Sequence, residues 1–243
     1  MSYSETVNGQ IISAIVKWGA ITHKDLYLYL KFESKLSTFT TRTNTLIRKK
    51  VVKSVKLPNQ KKAIIYAFEG TKLLVGDDIR LTPNNQLPHD SVVANICIRL
   101  LQMSKVYDVN TVKPEDLTNK LSLVPDADAL VMSGDEMIHI AIEYEATQKS
   151  KNRIVQKYFS YSQSNDYKYV FYFFDIEKVA LVYAKTLHDL ASSKINQHAS
   201  LKIEKFYFFV RSNDAHDGDF FKSFRLFYPQ NGNDIMKILN GSN

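Results

Sequence analysis

Residues 124–145, VPDADALVMSGDEMIHIAIEYE, restrict the fold more than any other stretch. Two apolar runs meet at a short polar turn around Gly134, so the segment reads as a β-hairpin. With Gly134-Asp135 as the turn, Asp126 falls opposite Glu143 and Asp128 opposite Ala141. Strand side chains alternate, so Asp126, Asp128, Glu143 and Glu145 share one face, while Ile140, Ile142 and Tyr144 point the other way. Acids directly opposite acids destabilise a sheet. A divalent cation would relieve that repulsion, and hard carboxylate oxygens suit Mg²⁺ or Mn²⁺, which also bind phosphate and support phosphodiester cleavage.

Upstream, charge is distributed unevenly. Residues 1–76 carry 13 lysines and arginines against four acids, a balance of +9, while the remainder carries 19 basic and 21 acidic residues. That asymmetry predicts a cationic binding module joined to a near-neutral body. Within the module, NGQIISAIVKWG, THKDLYLYLKF and STFTTRTNTLIRKK read as three helices, the second capped by Thr22. Two strand-like runs follow, VVKSVKL and KKAIIYAF, joined by Pro58-Asn59-Gln60. Three short helices and a basic hairpin predict a winged helix-turn-helix. The third helix would enter the major groove with Thr40, Thr41, Arg42, Asn44, Thr45, Arg48 and Lys49, and Lys61 and Lys62 would make a wing contact.

Residues 77–88, DDIRLTPNNQLP, have no apolar period and read as a linker. Beyond them come a helical pattern from His89 to Met103, the acidic hairpin, and a polar helix from about Lys149 to Ser162. A strand YKYVFYFFD, a helix KVALVYAKTLHDLASS and two further strand-like runs, LKIEKFYFFV and FFKSFRLFYP, follow. The expected class is therefore α/β (α+β), with a helix-turn-helix module over 1–76, a linker over 77–88 and a mixed-sheet core over 89–243.

Pro125-Asp126, a hairpin and IAIEYE resemble the PD-(D/E)xK nuclease motif of the restriction-endonuclease-like superfamily, with Glu145 where the motif has lysine. The resemblance implies an E-x-E variant whose lysine has moved to the following helix, where Lys157 is the natural candidate beside Lys149, Lys151 and Arg153. The wider order (YAFEGTKLLVG, a linker, a helix beginning with His89, PDA, IEYE, Lys157-Tyr158) resembles the plasmid replication-relaxation families, and among them the small MOBC-class relaxases. That resemblance implies metal-dependent nicking of supercoiled plasmid DNA at a transfer origin. The implied set is Asp126 or Asp128, Glu143, Glu145 and Lys157, with a companion mobilization protein and a coupling ATPase as partners.

Other chemistries lack their residues. No two histidines form an H-x-H pair, and eight glycines supply no Gly-rich phosphate loop. Tyr158 and Tyr161 stand on the polar helix as candidate nucleophiles, although packing against the sheet is their expected role. His139 shares the parity of Glu143 and is expected to serve a cross-strand structural role. A single cysteine, Cys97, excludes an internal disulfide, and with no signal-peptide layout or spanning segment the expected residence is cytoplasmic. The alternative to an enzyme is a non-catalytic, DNA-binding plasmid replication or transfer regulator on a nuclease-like scaffold. A double-strand-cutting restriction-type endonuclease is a third possibility.

Overall fold

In the computed structural model, residues 6–56, 63–75, 81–111, 123–193, 201–212, 220–229 and 233–240 are described. The protein is mixed α/β, with two separate sheets, and it divides into two compact units, residues 1–98 and 99–243.

The first unit runs α1 (Val7–Trp18), β1 (Ala20–Thr22), α2 (His23–Leu30), α3 (Leu36–Arg48), β2 (Lys53–Val55), β3 (Ile64–Tyr66), α4 (Glu69–Val75) and most of α5 (Leu87–Leu100). Thr6 caps α1 through Gly9 N–H at 3.1 Å, and Thr22 caps α2 through Asp25 N–H at 3.2 Å. Gly19 ends α1 with φ of +71°, and a Cβ there would lie 2.6 Å from the Thr82 hydroxyl. Glycine is thus required twice over, by conformation and by close approach. β1 and β2 flank β3, both antiparallel to it.

The expected boundary does not match the division of the molecule. Leu87 and Pro88, placed in the linker by sequence, begin α5, and Leu87 packs with Ala20 and Ile64. Asn95 Nδ2 donates to Asp25 Oδ1 at 2.7 Å, and Thr22 donates to the other oxygen at 2.6 Å. Asp25 is buried, so both its oxygens need partners, and α5 supplies one of them.

The second unit contains β4 (Val106–Thr111), β5 (Ala127–Ser133), β6 (Glu136–Glu145), α6 (Lys151–Gln163), β7 (Tyr169–Phe174), α7 (Glu177–Ser192), β8 (Phe206–Arg211), α8 (Phe220–Ser223), β9 (Phe224–Tyr228) and α9 (Asn233–Asn240). Its six-stranded sheet follows chain order: β4, β5 and β6 form an antiparallel meander, β6–β7–β8 are parallel, and β9 returns antiparallel. Two parallel steps in one direction need two crossovers of one hand, which puts both crossover helices on one face. Accordingly α6 and α7 pack together over Ala141, Val170, Tyr172, Phe174, Phe206 and Phe208 through Ile154, Tyr158, Tyr161, Val179, Tyr183 and Leu187. The opposite face carries Phe171, Phe173 and Phe209, packed against Phe220 and Phe224. Both faces of the parallel strands are covered, which explains their unbroken aromatic runs.

Candidate functional site

The hairpin has the register its sequence predicts. Pairing runs from Ala127 with Ile142 to Ser133 with Glu136, across the two-residue turn Gly134-Asp135, and Gly134 takes a φ of +63°. One residue beyond the ladder, Asp126 N–H still donates to Ile142 O at 3.0 Å. Asp128, Ala141, Glu143 and Glu145 therefore lie on the face that α6 and α7 cover, with Asp126 at its edge.

The four carboxylates nevertheless go to different partners. Glu143, only 1% exposed, receives Lys157 Nζ at 2.5 Å on Oε2 and the Tyr161 hydroxyl on Oε1. Lys157 and Tyr161 are four apart on α6, so one helical face presents both to β6. Burial pushes the Glu143 carboxyl up to about 7, with Lys157 opposing the shift and Asp126 adding to it. Glu145 is buried as well and pairs with Lys149 Nζ at 3.6 Å; burial again raises it, against the pull of Lys157 and Lys149. Asp126 Oδ2 accepts from Tyr144 N–H at 2.7 Å, which sets its charge between the two glutamates. Asp128 instead pairs with His139 Nδ1 at 2.9 Å, and burial raises its carboxyl. His139 thus bridges β5 and β6 to Asp128, not to the glutamates.

Two expectations need revision. The like-charge repulsion on this face is met within the chain by Lys157 and Lys149, so it does not by itself require a metal. Among the described residues, no group of three or more His, Cys, Asp or Glu side chains is arranged to hold a metal ion. The full set Asp126, Asp128, Glu143 and Glu145 is therefore not assembled as one cluster. Asp126 raises the carboxyls of both Glu143 and Glu145 electrostatically, so these hard oxygens lie near one another without forming a three-carboxylate cage. Mg²⁺ commonly takes only one or two carboxylates and fills its shell with water and phosphate oxygens, so one or two of these side chains suit its chemistry.

Neither candidate nucleophilic tyrosine is free. Tyr158 donates to Tyr183 O at 3.0 Å in the core, and Tyr161 is committed to Glu143. Burial raises both phenols well above their usual range, the reverse of what a nucleophile needs. The sequence offers Tyr161 as a nucleophile or a packing residue and not as a Glu143 partner; its place four residues after Lys157 was the available signal. The Tyr172 hydroxyl is buried beside the glutamates without a hydrogen-bond partner among the described residues, and the Tyr183 hydroxyl is turned toward Glu145.

In the first unit, α3 presents Thr41, Arg42, Asn44, Arg48 and Lys49 as exposed residues, with Thr40 and Thr45 half-buried. Thr41 and Thr45 donate to carbonyls of their own helix, and Arg48 Nη2 donates to the Thr45 hydroxyl at 3.2 Å. Arg42 and Asn44 are left as the donors best placed to reach outward, although Asn44 also bonds to His23. No acid lies on α3. Lys61 and Lys62, assigned to a wing, lie outside the described residues. Among the described residues, no helix is long and apolar enough to cross a membrane. No family model, curated protein or solved structure matches this chain.

Proposed function

We propose that the protein is a divalent-metal-dependent DNA endonuclease that nicks supercoiled plasmid DNA as a relaxase, with a winged helix-turn-helix in its first unit. The observation that carries this reading is Glu143. It is a buried carboxylate held by Lys157 from the following helix, with Asp126 at the head of the neighbouring strand. An antiparallel meander, a crossover helix and a parallel strand are the framework that a PD-(D/E)xK nuclease needs, and the second unit has them in that order. The order helix, strand, two helices and hairpin in the first unit supports the winged helix, and the cationic face of α3 supports DNA contact.

In this reading one or two of Asp126, Glu143 and Glu145 would hold Mg²⁺ or Mn²⁺, with water and phosphate oxygens completing the shell. When bound, such an ion supplies Lewis-acid polarisation of the phosphoryl oxygen. Lys157 places its charge beside the reacting phosphate, and Tyr161 orients Glu143 through its second oxygen. At the end of β6, under α6, Glu143 and Glu145 are buried, which strengthens their charges, while Lys157 stays 23% exposed at the edge of the site.

Substituting Glu143→Ala should abolish Mn²⁺-dependent conversion of supercoiled plasmid to open circles while DNA binding persists in a gel-shift assay. Undiminished nicking by that variant would remove Glu143 from the chemistry. A second reading, a DNA-binding regulator on a nuclease-like scaffold, is favoured by one observation: both buried glutamates already have lysine partners. A regulator would shift plasmid DNA and leave it supercoiled at every Mn²⁺ concentration. Linear product would instead indicate a double-strand endonuclease.

A further inference from the structure

Among the described residues of the second unit, two of the cavities differ in charge. One, lined by Asp166, Lys168, Lys202, Glu204 and others, mixes acids with lysines. The other, about 550 Å³, is lined by Leu123, Val124, Arg153, Gln156, Lys157 and Ser160, with no acid among the described residues of its wall. Arg153, Gln156, Lys157 and Ser160 stand at i, i+3, i+4 and i+7 on α6, so they form one stripe roughly 10 Å long. At one point of that stripe Lys157 bonds to Glu143; at another the chain passes through Val124, two residues before Asp126. The first turn of α6 holds no acid, so the helix dipole there is not opposed by its own side chains.

The geometry points to a subsite for the DNA backbone in this groove, gripping a phosphate adjacent to the one that reacts beside Lys157. The inference rests on the nuclease reading for the position of the reacting phosphate. Arg153 is exposed and offers a planar fork of donors suited to a phosphate. Gln156 and Ser160 add neutral donors of the kind that fix backbone register without reading sequence. The stripe is longer than a single phosphate, so an extended phosphodiester chain matches it better than a small free anion. Lys157, already shared with Glu143, stands between the subsite and the carboxylates. The groove thus recognises the backbone of any sequence, and α3 is left to choose the site.

The test uses the full chain with a fluorescent duplex in EDTA, where no cleavage competes. Binding is followed by anisotropy across a salt series. Arg153→Ala should weaken binding several-fold and reduce the slope of log K against log salt by about 0.9, the loss of one phosphate contact. Arg153→Lys should restore the slope. Independently, Gln156→Cys labelled with a photo-crosslinker should attach to the duplex; Cys97 is buried and does not compete for the label. An unchanged slope in Arg153→Ala, or no crosslink from position 156, overturns the subsite. If wild-type protein never relaxes plasmid but slope and crosslink behave as expected, the nuclease reading fails and the subsite stands. If relaxation depends on Glu143 while slope and crosslink fail, the subsite alone falls.

Discussion

Glu143 concentrates the chemistry of the site in one side chain. Its carboxyl is raised from 4.5 to about 7, chiefly by burial, so the native state binds its proton more tightly than the unfolded chain does. Stability from this group is fully present below about pH 4.5 and is lost as pH rises through about 7. Glu143→Gln removes the titration while keeping a hydrogen-bonding side chain of similar size. In EDTA, the stability of the wild type relative to Glu143→Gln should fall across that window, by up to about 3 kcal/mol for a shift of this size. Urea unfolding at pH 4, 6 and 8 measures it, and a pH-independent difference between the two proteins would show that Lys157 already holds the carboxyl ionised. The hairpin that places Glu143 was legible from residues alone. Alternation fixed its face and Gly134-Asp135 fixed the register, whereas Lys157 was implied only by the resemblance to PD-(D/E)xK nucleases, beside Lys149, Lys151 and Arg153. The fate of the charges was not legible, because parity says which residues share a face and nothing about which lysine reaches them.

Among the elements, α6 governs the site, since it carries Lys157, Tyr161 and the whole Arg153–Ser160 stripe. Its hold on the sheet comes partly from a residue far along the chain. Lys205, 8% exposed, donates to Ser164 O at 2.7 Å, Tyr167 O at 3.0 Å and Tyr161 O at 3.3 Å, and so satisfies carbonyls at and just beyond the end of α6. Lys205→Met keeps the apolar stem and removes all three bonds. The variant should lose about 2–4 kcal/mol in urea unfolding, since charge-assisted bonds and the carbonyls left unpaired both count. A loss under 0.5 kcal/mol would mean that water replaces the ammonium. No sequence pattern announced this contact, because a lysine inside LKIEKFYFFV reads as a solvated strand residue. The 3-10 turn at Ile203–Lys205, which aims it inward, is too short to leave a period. The same brevity hid β1 and α4. β4 and α9 went unassigned for want of a clear pattern, whereas α7 and β7, with long regular patterns, were foreseen close to their ends.

At the scale of the whole molecule, sequence and structure disagree on where the first unit stops, and the disagreement can be measured. Composition changes at about residue 76, where the basic excess ends and polar, proline-containing residues begin, so the sequence puts a boundary there. Packing puts it after Ile98. The segment between supplies Leu87 to the Ala20–Ile64 cluster and Asn95 to the buried carboxylate of Asp25. Thr82 also lies against Gly19. A fragment ending at 76 leaves one Asp25 oxygen without its Asn95 partner, a cost of about 1–3 kcal/mol, and exposes the apolar surface that Leu87 covers, about 1.5–3 kcal/mol more. Those sums approach the whole stability of a domain this small. Fragment 1–98 should therefore unfold cooperatively in urea and give dispersed amide resonances, while 1–76 should be largely unfolded or at least 2 kcal/mol less stable. The full-length variant Asn95→Leu isolates the buried bond: it should lower the stability of the first unit by about 1–3 kcal/mol without changing the charge presented by α3. Equal stability of the two fragments would return the boundary to residue 76 and reduce α5 to an appendage of the first unit.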